Sequence, residues 1–253
     1  LWNWANDGAS TDIAIDEYSA GVPTLASTFR ANTDAGFSIV TYSGDSDATT
    51  KVGHGLGTEP DFIVIKGVTR ASGTAGWYTY HRSLGATASV WLDQPSLAVT
   101  DSGYWADIEP TDEVWSMAAN TGMNQSGSTY VAWCWAGVEG YSKFGSYTGN
   151  GDTSGEGPFI YLGFRPSWVV VKRTDVSNDW GILDDKRNPY NPVELVLFSD
   201  LDQTESGSGN QYTDFTSNGF KIRNDATANW INASSGTYIY AAFAENPFGG
   251  SDV

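Results

Sequence analysis

The chain has 253 residues, and its 30 Asp and Glu residues outnumber its 13 Lys and Arg residues, which gives a formal net charge of −17. Charge of that sign repels phosphate backbones and anionic lipids, and the two cationic pairs, 172–173 and 186–187, both lie close to Asp residues. The composition therefore argues against nucleic-acid and membrane-surface binding, and the single cysteine, Cys134, excludes an intrachain disulfide.

The apolar residues follow a strand pattern along the chain. Residues 37–42 carry an apolar residue at most alternate positions, which is typical of a half-buried strand. Residues 62–65 and 168–171 are continuous apolar runs, as in central strands buried on both faces. Clusters of Gly, Asp, Asn and Ser separate these runs, for example at 44–47 and 149–152. With 14% aromatic residues and 29 glycines, the pattern predicts an all-β protein.

The sequence contains an internal repeat. In both halves a Pro is followed six residues later by a Lys, at Pro60 and Lys66 and again at Pro166 and Lys172. Both halves also close alike, and the matching residues are Asn124, Thr129 and Ala136 in the first half and Asn232, Thr237 and Ala244 in the second. Two copies are too few for a solenoid. The repeat therefore predicts two tandem similar β-sandwich domains of jelly-roll-like type.

The repeat also sets the predicted domain boundaries. Residues 1–34, rich in Ala, Ser, Thr and Asp, are expected to be the end of a preceding unit followed by a linker. The two sandwich repeats are placed at 35–138 and 139–248. Residues 249–253 are predicted to be a flexible tail by composition.

Residues able to carry hydrolytic chemistry are scattered. His54 and His81 are the two histidines, but no Gly-x-Ser-x-Gly turn accompanies Ser83, and the second copy has no histidine. Two acidic pairs match the residue type that a glycosidase uses, Asp184 with Asp185 and Asp200 with Asp202. Surface solvation explains these carboxylates better. We therefore predict no catalytic residues and a protein that is not an enzyme.

Two turns at equivalent positions of the copies are rich in oxygen ligands. Asp45 and Asp47 lie in the first turn and Asp152 in the second, and calcium favours such carboxylate-rich loops. No complete calcium-loop pattern accompanies them, and ordinary Asx turns explain the same residues. We predict no cofactor, with calcium at Asp45, Asp47 and Asp152 as the alternative.

Three aromatic residues lie in polar segments outside the repeated strands. Tyr104 and Trp105 follow Gly103, and Trp230 follows Asn229. Aromatic rings with a polar edge are suited to surfaces that are partly wet. We predict Tyr104, Trp105 and Trp230 as carbohydrate-binding candidates. The alternative is that they cap the ends of the sandwich or are buried against a neighbouring subunit.

Six segments carry a further pattern: residues 36–42, 52–57, 60–66 and 80–85 in the first copy and 143–151 and 242–248 in the second. These segments resemble a domain family of bacteriophage tail-fibre and virion structural proteins that is common in phages of marine and cyanobacterial hosts. The resemblance covers about residues 35–248. It implies a location and a role, and it supplies no catalytic residue.

From this resemblance we expect a structural and adhesive protein on the external surface of a virion. It would be a homotrimeric tail-fibre or other appendage subunit that presents loops to a host-surface glycan. Its expected partners are other copies of itself, other virion proteins reached through residues before Leu1, and that glycan. Two alternatives stay open: a capsid or tail decoration protein with purely structural contacts, and a carbohydrate-active depolymerase.

Overall fold

The computed structural model describes residues 9–19, 21–73, 76–205, 212–223 and 229–244. Strand accounts for 44% of the described residues and helix for 2%, which confirms the predicted all-β class. The chain divides into two compact units. One comprises Leu1–Leu92 and Val99–Gly137, and the other comprises Asp93–Ala98 and Val138–Val253. None of the described residues forms a helix with the length and apolarity that a membrane crossing needs.

The first unit is built from an eight-stranded antiparallel sheet and a two-stranded one. Its strands are β1 (Thr11–Ile13), β2 (Ser27–Asn32), β3 (Phe37–Ser43), β4 (Thr50–Gly53), β5 (Phe62–Thr69), β6 (Trp77–His81), β7 (Ala88–Trp91), β8 (Val99–Thr100), β9 (Val114–Met117) and β10 (Thr129–Trp135). The larger sheet has the order β1-β2-β3-β10-β5-β6-β7-β8, and β4 pairs with β9. Residues of both sheets meet in one core, where Ile63, Trp115 and Ala132 are completely buried.

The second unit has a five-stranded and a three-stranded sheet. Its elements are β11 (Ser142–Thr148), β12 (Phe159–Tyr161), β13 (Pro166–Arg173), β14 (Trp180–Asp184), β15 (Val196–Phe198), β16 (Thr213–Thr216), β17 (Gly219–Ile222), the short helix α1 (Asn229–Asn232) and β18 (Thr237–Ala244). The sheet orders are β11-β18-β13-β14-β15 and β12-β17-β16. Val169, Phe220 and Ala242 bring both sheets into one core.

Each unit has its own central sheet, and the two sheets have corresponding strand orders. The order β3-β10-β5-β6-β7 of the first reappears as β11-β18-β13-β14-β15 in the second. Equivalent tyrosines face each other across the central strand pair, because Tyr130 opposes Tyr42 and Tyr238 opposes Tyr147. The ring centroids lie 5.1 Å apart in the first pair and 4.8 Å apart in the second, and both pairs are stacked. These findings confirm the prediction of two similar tandem sandwiches.

The amino-terminal segment departs from its prediction. Within residues 1–34, expected to be the end of a preceding unit followed by a linker, β1 and β2 extend the large sheet of the first unit by two strands. All six residues of β2 pair with β3, and the Thr28 hydroxyl donates to the Asp12 carboxylate across 2.7 Å. Five of the six residues in β2 are half-buried or exposed, so the strand lacks the apolar alternation by which sequence patterns reveal strands. The predicted tail at 249–253 lies outside the described residues.

A second departure concerns residues 93–98, which were assigned to the first repeat but belong to the second unit. The Pro95 carbonyl accepts hydrogen bonds from the Asn178 amide (2.7 Å) and from the Lys172 ammonium (3.0 Å). The Ala98 amide donates to the Thr174 carbonyl across 3.0 Å. Lys172 is completely buried, and burial lowers its pKa to about 8. A buried ammonium needs such acceptors, and this requirement explains why the segment is held there.

Candidate functional site

The three aromatic residues predicted to bind carbohydrate are not exposed rings. Trp105 is 1% exposed and packs edge-to-face on Tyr80, with ring centroids 5.6 Å apart. Trp230 is 7% exposed and packs edge-to-face on Phe198. Tyr104 is half-buried against the same core as Trp105. Trp105 and Trp230 therefore present no open ring face in this structure, in keeping with the alternative that they cap the ends of the sandwich. Their segments turn the rings back into the core, where burial of a large side chain stabilises the fold by about 3 kcal/mol.

The turns considered for calcium are held together by their own hydrogen bonds. The Asp45 carboxylate accepts from the Asp47 amide (2.9 Å) and from the Thr50 hydroxyl (2.7 Å). The Asp152 carboxylate accepts from the amides of Ser154 (2.9 Å) and Glu156 (2.7 Å), and these bonds lower its pKa. Within the described residues, no three His, Cys, Asp or Glu side chains are grouped so as to hold a metal ion. Asp45, Asp47 and Asp152 thus act in Asx-type turns.

The histidines also serve local turns. The Nε2 of His54 lies 3.1 Å from the Thr111 carbonyl and donates to it, while Nδ1 accepts from the Leu56 amide across 3.2 Å. Burial lowers the pKa of His54 to about 4, so this imidazole is neutral at pH 7. The Nδ1 of His81 accepts from the Ser83 amide across 3.1 Å. Both ring nitrogens of His54 and the Nδ1 of His81 are thus engaged with the backbone.

Three of the four carboxylates in the acidic pairs are likewise engaged locally. Asp184 accepts from the amides of Lys186 (3.0 Å) and Arg187 (2.8 Å), and Asp185 accepts from the Ser167 hydroxyl. Asp200 accepts from the Trp180 amide across 3.1 Å, and burial raises the pKa of Asp200. These carboxylates cap turns and strand ends, in contrast to a pair that flanks a substrate cleft.

The most prominent exposed aromatic pair lies instead on β12. Phe159 is 47% exposed and Tyr161 is 60% exposed, whereas Ile160 between them is 6% exposed and points into the core. Because side chains alternate along a strand, the two rings emerge on the same face about 6.6 Å apart along the chain. We call Phe159 and Tyr161 the aromatic strip. It stands at one edge of the three-stranded sheet, since β17 is the one described strand with which β12 pairs.

Glycines leave the rings of the aromatic strip uncovered. Gly219 on β17 is directly opposite Tyr161, and a Cβ atom at Gly219 would lie 3.0 Å from the Phe159 ring and 2.1 Å from the Ile160 carbonyl oxygen. A Cβ atom at Gly163 would lie 3.6 Å from the Tyr161 hydroxyl. The Phe159 ring and the Ile160 carbonyl therefore leave no room at position 219 for a side chain that would shield the aromatic strip. The Phe159 and Tyr161 side chains stay 47% and 60% exposed.

Charged groups frame the aromatic strip. The Lys143 ammonium lies 5.2 Å from the centroid of the Tyr161 ring and donates to the Tyr161 carbonyl across 2.9 Å. Lys221, opposite Phe159, donates to Glu156 across 2.7 Å, and this bond holds the pKa of Glu156 below its ordinary value. Two flat rings with donors and an acceptor at their margins match a ligand that has apolar faces and a polar rim, as a sugar ring has.

Sequence reasoning missed the aromatic strip. Phe159-Ile160-Tyr161 places large apolar side chains on both faces of a three-residue strand. A short strand at a sheet edge can bury only one face, so one of the two sets had to be exposed. The sequence shows large apolar residues on both faces of β12, but it does not show that β12 lies at the edge of a sheet.

One comparison with known proteins gives a family. Residues 1–247 match the profile of a family described as a domain of unknown function, DUF7483. The chain belongs to this family. The matched range includes residues of both units, so a single family domain contains both copies of the repeat. No curated protein and no solved structure matches the chain.

Proposed function

We propose that this chain is a non-enzymatic structural subunit of a bacteriophage virion, a tail fibre or similar external appendage, that binds a host-surface glycan through the aromatic strip. The observation that carries the glycan assignment is the exposure of Phe159 and Tyr161 on one face of β12. The appendage assignment is supported by the sequence resemblance to phage tail-fibre and virion proteins and by the tandem all-β architecture.

Stacking against the aromatic strip accounts for the recognition. A sugar ring presents C–H groups on its faces and hydroxyls around its rim, so that aromatic faces bind the former while Lys143, Lys221 and Glu156 reach the latter. Removing a fully contacted ring costs about 1–2 kcal/mol of binding free energy. Two rings therefore supply a large part of a micromolar affinity.

The proposal predicts that Phe159→Ala combined with Tyr161→Ala weakens glycan binding about 30-fold or more, because each tenfold step corresponds to about 1.4 kcal/mol. The measurement is a glycan array and a host-envelope pull-down with the full chain. Tyr190→Ala is the matched control, because Tyr190 is an 82% exposed tyrosine outside the strip. Binding that survives the double substitution unchanged would refute the strip as the site.

A homotrimer is part of the same proposal, and it predicts a species of about 82 kDa, three times the 27.2 kDa chain, in sedimentation equilibrium. A monomer at all accessible concentrations would contradict it.

A purely structural decoration protein is the second candidate, and one observation favours it. β12 is an edge strand, and edge strands with exposed apolar side chains are sites at which chains associate. If the aromatic strip is a contact between subunits, the Phe159→Ala, Tyr161→Ala variant will dissociate in sedimentation and will show no change in glycan binding. The two readouts thus separate an adhesin from a decoration protein.

A further inference from the structure

A polar pocket of about 360 Å³ lies in the first unit. Its lining consists of Glu59, Pro60, Tyr80, Arg82, Glu109 and Pro110. Small-molecule sites in proteins begin at about 300 Å³, so the pocket is suited to a ligand of the size of one sugar ring. All six residues belong to the first unit, whereas the aromatic strip belongs to the second. The pocket is therefore separate from the aromatic strip, which is the proposed glycan site.

One wall of the pocket is a carboxylate held in a fixed orientation. The Tyr80 hydroxyl donates to one oxygen of Glu109 across 2.7 Å, and the Ala86 amide donates to the other across 2.8 Å. Gly85, which has a positive φ of 72°, makes this approach feasible, because a Cβ atom there would lie 2.9 Å from the Glu109 oxygen. Each carboxylate oxygen has a second lone pair. Glu109 thus presents acceptors that are oriented before any ligand arrives.

Arg82 supplies hydrogen-bond donors to the same pocket. Its guanidinium donates to Asp61 across 3.1 Å and to Glu59 across 3.0 Å, and these partners raise its pKa. Two of its five N–H groups are used in these bonds, and the side chain is 57% exposed, so further donors stay accessible. Pro60 and Pro110 are buried residues that contribute apolar surface to the lining.

The mixture of charges selects the class of ligand. An anion would meet the carboxylates of Glu59 and Glu109, and a cation would meet Arg82. In the part of the chain that the structure describes, these carboxylates form no cluster fit for a metal ion. A neutral molecule with several hydroxyls can donate to Glu109 and Glu59 and accept from Arg82 at once.

We infer that this pocket binds a neutral polyhydroxylated ring, of which a hexose is the simplest example. The hydroxyls would donate to the Glu109 and Glu59 carboxylates and accept from the Arg82 guanidinium, and the C–H face would lie against the prolines. The first unit then carries a small-sugar site of its own, distinct from the aromatic strip on β12.

The test is saturation-transfer NMR of the full chain with glucose, galactose, mannose and N-acetylglucosamine, and with glucuronate and glucosamine as charged counterparts. Saturation transfer is expected for at least one neutral sugar, with millimolar affinity, and at least fivefold weaker for its anionic and cationic analogues. Absence of transfer to all four neutral sugars at roughly 50 mM would overturn the inference.

Variants locate the binding. Glu59→Gln and Arg82→Gln are each expected to weaken it about tenfold, since each removes one charge-assisted hydrogen bond. Glu139→Gln, at an exposed glutamate of the second unit, is the matched control and should leave binding unchanged. Thermal melting checks that each variant folds. The variant that lacks the aromatic strip should still bind the monosaccharide. Affinities of Glu59→Gln and Arg82→Gln within twofold of the parent would place the sugar elsewhere and refute the pocket.

Discussion

Asn124→Ala is expected to lower the free energy of unfolding by about 3 kcal/mol. Asn124 is completely buried, and its carbonyl oxygen accepts from the Asp45 amide across 3.1 Å. Its amide group donates to the Thr50 hydroxyl (2.8 Å) and to the Asp47 carbonyl (3.2 Å). Alanine would leave these partners buried or half-buried without their bonds, at a cost of about 1–3 kcal/mol for each group that water cannot reach.

The second unit contains the same device, so Asn232→Ala should have a similar cost. Asn232 is 2% exposed, accepts from the Asn150 amide (3.0 Å), and donates to the Asn150 side chain (3.1 Å) and to the Asp152 carbonyl (3.2 Å). Asn124 thereby joins the turn after β3 to the segment before β10, and Asn232 joins the turn after β11 to the segment before β18. Buried polar groups that are fully bonded in this way specify one arrangement of the loops they join.

Urea unfolding followed by tryptophan fluorescence measures both effects. Asn218→Ala is the matched control, because Asn218 is exposed and its side chain accepts one bond from the Thr216 hydroxyl at 3.3 Å. That change should cost less than about 0.5 kcal/mol. A loss below about 1 kcal/mol for both buried asparagines would show that the turns do not depend on them.

These asparagines show which part of the fold could be predicted from the sequence. The repeat could be recognised because Asn124 and Asn232 recur with the threonine and tyrosine that follow them, and each has a fixed place in the fold. The Tyr130 hydroxyl accepts from the Gln125 amide across 2.9 Å, and the Tyr238 hydroxyl accepts from the Ala233 amide across 2.7 Å. Residues with such specific bonds leave a pattern, and the all-β class and tandem sandwiches followed from it.

The candidate glycan site could not be predicted from the sequence in the same way. Trp105 and Trp230 lie in polar segments, which made them carbohydrate-binding candidates, yet both rings turn into their cores. Phe159 and Tyr161 have the pattern of ordinary strand residues, yet they are exposed on β12, which among the described strands has a partner on one side. Exposure at a sheet edge depends on strand order, which is a property of long-range pairing and leaves no local signal.

Acid is expected to destabilise the first unit through His54. Burial lowers the pKa of His54 from 6.5 to about 4, so the folded imidazole stays neutral in a range of pH where the unfolded one takes up a proton. Stability is therefore unaffected by this group above pH 6.5 and falls as the pH drops from 6.5 towards 4. A shift of this size corresponds to about 3 kcal/mol at the acid end of that window.

The contribution of His54 is isolated by a difference between variants. His54→Gln removes the titrating ring and retains a donor for Thr111 and an acceptor for Leu56, so the urea stability of this variant should change less between pH 6.5 and pH 4 than that of the parent. Carboxylates whose titration is shifted towards the same window, such as Asp200 with the pKa that burial raises, are common to both proteins and cancel in the difference. Asn218→Ala, an exposed and non-titrating substitution in the second unit, is the control that keeps His54, and it should retain the steeper acid dependence. Equal slopes for the parent and His54→Gln would mean that the buried imidazole is not the group that couples folding to pH, and that its place among Thr111, Leu56 and Trp115 tolerates the charged form.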